Sequence, residues 1–147
     1  VKLVEDSANM IEPLLRKRNI DLKREIKLKE APIIGDPNQL EQMILNLVSN
    51  SSDALKQGGK ISIIIQKDPE DKVQLLVKDN GIGIEKEELD KIFSPFYTNK
   101  EFDKGTGLGL YIVKNICKNH NAEILCESEV TKGTTFIITF NGGVKND

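Results

Sequence analysis

The sequence has no apolar run approaching the roughly 18 residues that a membrane-spanning helix needs; its longest aliphatic clusters, such as residues 61–65, are strand-sized. It also has no positively charged and then apolar leader. It has little net charge, formally −2. That excludes a general electrostatic attraction to nucleic acid or to an anionic membrane surface, so any phosphate binding has to come from local geometry. Cysteine is scarce. Cys117 and Cys126 stand nine residues apart, and the sequence has no further cysteine. They read as reduced thiols of a cytoplasmic protein, not as a disulfide or a zinc site. There is a single histidine, His120, and no methionine at the start; Val1 opens the chain, which reads as a fragment of a longer protein.

What is present is the composition of a soluble globular domain, with 38% apolar and 30% charged residues. The length, 147 residues, suits one domain spanning 1–147. Apolar residues at helical spacing predict a helix over 4–18, and alternation predicts a strand over 20–28. Asp36-Pro37-Asn38-Gln39 is a helix start, with Asp36 as cap, Pro37 in the first turn and Gln39 placed to reach back. That helix is expected to run to about Lys56 and stop at Gly58-Gly59. Strands are predicted over 60–66 and 72–78 around the Asp68-Pro69-Glu70-Asp71 turn, and over 122–128 and 134–140 as neighbours. A short helix is predicted over 85–93, a mobile loop over 94–107 and a helix over 108–119. Helices and strands mix without strict βαβ alternation, which points to a sheet with helices on one face.

Four segments carry chemistry. On the long helix Leu40, Met43, Ile44, Leu47, Val48, Ala54 and Leu55 share an apolar arc. Asn46, Asn50 and Asp53 fall in a stripe about 60° wide at its border. An amide oxygen is a hard, neutral ligand that suits Mg²⁺, although a solvated border of a core helix looks the same. Asp79-Asn80-Gly81-Ile82-Gly83 follows an apolar strand. A carboxylate there can accept from a purine amino group, with glycines letting backbone approach a flat ring; Asn-Gly is also the commonest hairpin dipeptide. Gly105-Thr106-Gly107-Leu108-Gly109-Leu110 leads into a helix, so its N–H groups and the helix dipole make an anion site or a simple hinge. It is neither the dinucleotide fingerprint nor a P-loop. In 93–100, three aromatics, Phe93, Phe96 and Tyr97, can anchor a loop from which Lys100 and Lys104 reach phosphates.

The order of these segments, closed by Gly133-Thr134-Thr135-Phe136, closely resembles the ATP-binding catalytic domain of sensor histidine kinases, from about Val1 to Phe140. That domain belongs to an ATPase superfamily shared with type II topoisomerases, mismatch-repair ATPases and a heat-shock chaperone. The resemblance implies a two-layer α/β sandwich, a mixed sheet of about five strands packed on about three helices, with a mobile ATP lid over 94–107. It implies ATP and Mg²⁺ as ligands. Asp79 takes the adenine amino group with Thr134 in support through a water; Gly81, Gly83 and Ile84 line the adenine pocket. Asn50 is the Mg²⁺ ligand and Asn46 helps hold the phosphates; Thr98, Lys100, Gly105, Thr106, Gly107, Leu108 and Gly109 face ribose and phosphates. Asn46, Asn50 and Lys100 form the catalytic set. Three positions depart from the pattern: Ser51 stands where alanine is usual, Asp53 where many relatives carry a basic residue, and Ala54 where many carry an aromatic ring.

Hydrolysing members of the superfamily resemble one another in having a glutamate four residues before the metal-binding asparagine, to activate water. Here that residue is Asn46, and Glu41 is on the far side of the helix from Asn50. This favours phosphoryl transfer to histidine over the alternatives, an ATP-hydrolysing or a non-catalytic nucleotide-binding module of the same fold, or a serine kinase. His120, where the last helix ends, reads as a structural cation against the helix dipole. The phosphoacceptor is then expected on a histidine-bearing dimerisation domain N-terminal to Val1. The resemblance further implies a response regulator downstream and a monomer in isolation, and leaves open whether the parent protein is anchored in the inner membrane; it implies no nucleic-acid partner and no membrane contact by this segment.

Overall fold

The computed structural model describes residues 1–31, 33, 35–55, 58–95 and 109–141. In chain order the elements are α1 (Lys2–Lys17), β1 (Ile20–Ile26), α2 (Pro37–Asp53), β2 (Gly59–Lys67), β3 (Val73–Asp79), a 3₁₀ turn (Lys86–Glu88), α3 (Gly109–Asn119), β4 (Ala122–Glu129) and β5 (Gly133–Phe140). The strands form one sheet in the order β1-β2-β3-β5-β4. Only β1 and β2 run parallel, joined by the α2 crossover; the other pairs are antiparallel.

Alternation along the strands decides which sheet face is covered. Ile61, Ile63 and Ile65 of β2, Val73, Leu75 and Val77 of β3, and Phe136, Ile138 and Phe140 of β5 are buried on the helix side. α2 lies over them with Met43, Ile44, Leu47 and Val48 at most 1% exposed. Each such side chain contributes about 1.5–3 kcal/mol of burial. α1 adds Val4, Ala8 and Leu15, and α3 adds Val113, Ile116 and Cys117. The two-layer mixed sandwich of five strands and three helices is as expected.

Both ends of α2 differ from expectation. Asp36 does cap the helix, its side chain accepting from Asn38 N at 2.9 Å. Gln39 does not reach back, however; it accepts from Asn119 Nδ2 at 3.3 Å. The Asp36 N–H instead donates to His120 Nε2 at 3.0 Å, and His120 Nδ1 lies 2.8 Å from the Ile116 carbonyl. A ring that accepts at Nε2 donates at Nδ1, so His120 is a neutral latch between α2 and α3 and not a cation at a helix end. At the other end α2 stops at Asp53. Ala54 and Leu55 N–H groups turn back to Ser51 and Ser52 carbonyls, while the Ala54 carbonyl accepts from Ile82 N and the Leu55 carbonyl from Arg18. Arg18 also bonds the Ser52 hydroxyl. The expected end of the helix, Lys56, lies outside the described residues.

The predicted helix over 85–93 is also corrected. Glu88 N, Leu89 N, Lys91 N and Ser94 N donate to Glu85, Lys86, Glu88 and Lys91 carbonyls, every bond spanning three residues. Those tight turns bury Ile92 and set the Phe93 ring edge-on to Phe136, centroids 6.3 Å apart.

Candidate functional site

The site is built where the C-terminal turn of α2, the end of β3 and the turn between β4 and β5 meet. β3 ends on Asp79, which is 3% exposed and directly opposite Thr134 of β5, itself buried. Asp79 Oδ1 accepts from Gly81 N at 2.9 Å. Oδ2 is buried with no hydrogen-bond partner among the described residues. Burial pushes the Asp79 carboxyl above its ordinary range, opposed by the Gly81 N–H, the Ser51 hydroxyl and the Thr134 N–H. The Ser51 hydroxyl favours the charged form by proximity, yet its Oγ is likewise without a partner of proper geometry among the described residues. A buried acceptor left open in this way is costly to the fold, so it marks a position kept for something other than stability.

Residues 80–84 are clamped from three sides. Asn80 exchanges bonds with Lys60, its N–H to the carbonyl at 3.3 Å and its Oδ1 from the N–H at 2.8 Å. Ile82 N donates to Ala54 O at 3.3 Å, and Ile82 O accepts from Thr131 N at 2.8 Å. Gly83 has φ +78, and a Cβ on it would lie 2.3 Å from the Glu129 carbonyl oxygen. Gly133 has φ +127, and its Cβ would lie 2.0 Å from the Asp79 carbonyl oxygen. Only glycine fits either place. Asp79-Asn80-Gly81 is therefore not a hairpin: β3 pairs with β2 and β5, and the segment beyond it is packed under α2 and the β4–β5 turn.

Ser128 ties this segment to β5. Its Oγ accepts from Ile84 N at 2.7 Å, donates to Gly133 O at 3.0 Å and lies 2.9 Å from Thr134 Oγ1. All three contacts are satisfied together when Thr134 is the donor to Ser128. Sequence reasoning missed Ser128. Its one signal is a polar residue at an inward position of an alternating strand, opposite Thr134 in register.

Asn46 and Asn50 are both half-buried on α2, and Asn46 Nδ2 is buried without a partner among the described residues. Asp53, one turn on, is half-buried and has a partner of its own. Among the described residues no group of three or more His, Cys, Asp and Glu side chains could hold a metal. α2 offers amide oxygens instead, which suit a Mg²⁺ ion that keeps its waters and phosphate oxygens. Gly109 opens α3, and no atom of the described residues lies within 4 Å of a Cβ built on it. Of the expected site residues, Asp79, Gly81, Gly83, Ile84 and Thr134 come together around the end of β3, with Asn46 and Asn50 on the adjoining helix. Thr98, Lys100, Gly105, Thr106, Gly107 and Leu108, and the expected lid from 96 onward, lie outside the described residues. A separate cavity of about 310 Å³, lined by Leu3, Leu40, Ile44, Ile65 and Phe140 among others, lies at the opposite end of α2.

Residues 35–143 match the family model described as histidine kinase-, DNA gyrase B-, and HSP90-like ATPase. Sporulation kinase A of Bacillus subtilis (strain 168) is 39% identical over 139 residues, which are 95% of this chain and 22% of the kinase. Sensor histidine kinase ZraS of Escherichia coli (strain K12) is 38% identical over 138 residues, 94% of this chain and 28% of that protein. The chain thus spans less than a third of each of these curated relatives. Among solved structures, the nucleotide-free catalytic domain of histidine kinase ThkA superimposes with a TM-score of 0.83 at 34% identity, over 95% of this chain and 90% of that one. ThkA in complex with the response regulator protein TrrA matches with a TM-score of 0.78 at 32% identity, over 95% of this chain and 39% of that one.

Proposed function

We propose, from the premise that this chain belongs to the histidine kinase-, DNA gyrase B- and HSP90-like ATPase family and within it is a histidine kinase catalytic domain, that it binds Mg-ATP and passes the γ-phosphoryl group to a histidine on a separate dimerisation domain. The observation that carries this reading is Asp79 Oδ2, a buried acceptor with no partner among the described residues, at the end of a strand and beside a clamped glycine turn. An adenine amino group is the donor it lacks. Thr134, Gly81, Gly83 and Ile84 surround the base.

The phosphates then extend toward α2 and the start of α3. Asn50 would hold the Mg²⁺ ion and Asn46 the phosphate oxygens, with Lys100 and residues 105–109 as further contacts to ribose and phosphates. The ion, when bound, neutralises charge on the phosphates. The chain's own residues orient the triphosphate and exclude water; phosphoryl transfer is mostly positioning and charge stabilisation. The lone pair of a neutral imidazole nitrogen attacks the γ-phosphorus, an N–P bond forms, and the bond to the bridging oxygen breaks with its electron pair leaving on ADP. No base is needed for that step. Water would need one, and position 46 holds an amide where a hydrolase needs a carboxylate.

The same reading makes a response regulator the downstream partner, as ThkA has TrrA, and the segment monomeric by itself. No described helix is long and apolar enough to cross a membrane; the reading places this segment on the cytoplasmic side of its parent protein. The test is single-turnover transfer from γ-labelled ATP to a histidine-bearing helical hairpin. The expected result is acid-labile, base-stable label on the hairpin and slow release of phosphate without it. Phosphate release at an equal rate with and without the hairpin would favour the hydrolase, and label on a serine partner would favour the serine kinase.

A further inference from the structure

A threonine hydroxyl stands opposite the open carboxylate and does not bond it. Asp79, Thr134 and Ser128 form one row across β3, β5 and β4, with Thr134 paired in register to both of the others. Asp79 and Thr134 are buried on the helix side, in line with Val77 and Phe136. Side chains opposed in this way have Cβ atoms about 4.5–5.5 Å apart, within reach of a hydroxyl. Yet Asp79 Oδ2 has no hydrogen-bond partner among the described residues. A carboxylate is a strong acceptor, so another group has to hold the Thr134 proton.

Ser128 is that group. Its Oγ takes the Ile84 N–H at 2.7 Å, and its own proton goes to the Gly133 carbonyl at 3.0 Å. A hydroxyl has one proton and two lone pairs. With the proton committed and one lone pair filled, Ser128 meets Thr134 Oγ1, 2.9 Å away, as an acceptor. The backbone of Ile84 and Gly133 thus sets the direction of a side-chain bond two residues from either.

We propose that Ser128 is a positioning residue: by taking the Thr134 proton it keeps the Thr134 hydroxyl off Asp79 Oδ2, so that both residues meet the base as acceptors. The proposal rests on the reading of Asp79 as the adenine contact, and it supplies the reason that this acceptor stays open. Acceptors suit a 6-amino group, which has only hydrogens to offer, directly or through a water. A purine with hydrogen at position 6 gains nothing from the arrangement. Loss of the Ser128 hydroxyl therefore has two separable effects. The Ile84 N–H and the Gly133 carbonyl lose a partner, which loosens the pocket for every purine alike. The Thr134 proton is also released and turns to Asp79, which weakens aminopurines alone.

The experiment compares the parent chain, Ser128→Ala, Thr134→Val, the double variant and Asp79→Asn. Each is titrated with ADP and with purine riboside diphosphate, which has hydrogen in place of the 6-amino group. In Ser128→Ala, ADP affinity is expected to fall about tenfold more than that of the analogue, the scale of one bond to a charged group. Adding Thr134→Val removes the competing hydroxyl. ADP affinity in the double variant is then expected to exceed that of Ser128→Ala and to come within about threefold of Thr134→Val alone. A serine that only braced the pocket predicts a double variant no tighter than Ser128→Ala. Should Ser128→Ala fail to fold, Ser128→Cys keeps the side-chain shape with a weak sulfur acceptor and carries the same comparison. Equal loss for the two nucleotides, no loss at all, or no recovery in the double variant overturns the role of Ser128; with ADP binding weakened in Asp79→Asn, the adenine contact still stands. ADP binding retained in Asp79→Asn overturns the contact itself, and this proposal with it.

Discussion

Asp79 and Thr134 face each other directly across the β3–β5 pair, both buried, with the Gly133 backbone pressed so closely on the Asp79 carbonyl that no side chain fits between them. The sheet thereby holds a carboxylate at a strand end where folding alone gains nothing from it.

Stability and pH follow from that position. Burial raises the Asp79 pKa above its unperturbed 3.8. A carboxyl raised in the folded state favours folding below its unfolded pKa, and that contribution is lost as pH rises through the folded value. Asp79→Asn removes this term. At pH 7 the variant is expected to be as stable as the parent or more so, and the parent alone gains stability on acidification through that window. Urea denaturation of both chains between pH 4 and pH 8 measures it; a variant less stable at pH 7 than the parent would contradict the account.

Gly83→Ala puts a methyl group against the Glu129 carbonyl at a φ of +78. Backbone cannot yield as a flexible side chain would. The expected cost is about 1–3 kcal/mol of stability, together with weaker adenine nucleotide binding because the whole 80–84 segment shifts. Gly109→Ala, where the added Cβ meets no atom of the described residues within 4 Å, is the control and leaves thermal stability unchanged within about 0.5 kcal/mol. A thermal melt and an ADP titration of each variant check the pair.

His120→Ala removes the acceptor for Asp36 N and the donor to the Ile116 carbonyl at once. The expected loss is roughly 1–3 kcal/mol in denaturant unfolding. The sites lie at the end of α2 remote from Asp79, so ADP affinity should survive in the folded fraction. Label on His120 after incubation with γ-labelled ATP would contradict its structural role.

Much of this was legible in the sequence, and the failures have a common cause. Strand alternation and the Asp36-Pro37 start were local signals, and they placed all five strands and the three long helices. The glycines around Asp79 were legible as a close approach, because Asp-x-Gly-x-Gly after an apolar strand has few uses. What escaped was long-range. The partner of Asp36 N is His120, 84 residues away, and the Ala54 and Leu55 carbonyls just past α2 are taken by Ile82 and Arg18. Periodicity through Leu89, Ile92 and Phe93 reads as a helix because three-residue and four-residue steps place these side chains alike over so short a stretch. Ser128 was hidden because one polar residue in a strand carries no motif.

The two thiols give an independent check on packing. Burial pushes Cys117 and Cys126 each up to about 12. At pH 8 each is then thiolate to about one part in ten thousand, and alkylation of the folded chain should be far slower than that of a model thiol. Full reactivity should appear only in denaturant; brisk labelling of Cys117 in the native chain would mean that α3 does not pack as described.

The central claim is that Asp79 is the contact that recognises adenine, and calorimetric titration with ADP and ATP, with and without Mg²⁺, beside Asp79→Asn tests it most directly. The account predicts one saturable site in the parent, stronger for ATP when Mg²⁺ is present. It predicts a loss of about 1–3 kcal/mol of binding energy in Asp79→Asn for either nucleotide, since the substitution leaves the amino group badly paired. Equal affinity of parent and variant for ADP, or no binding by the folded parent under any of these conditions, would contradict it.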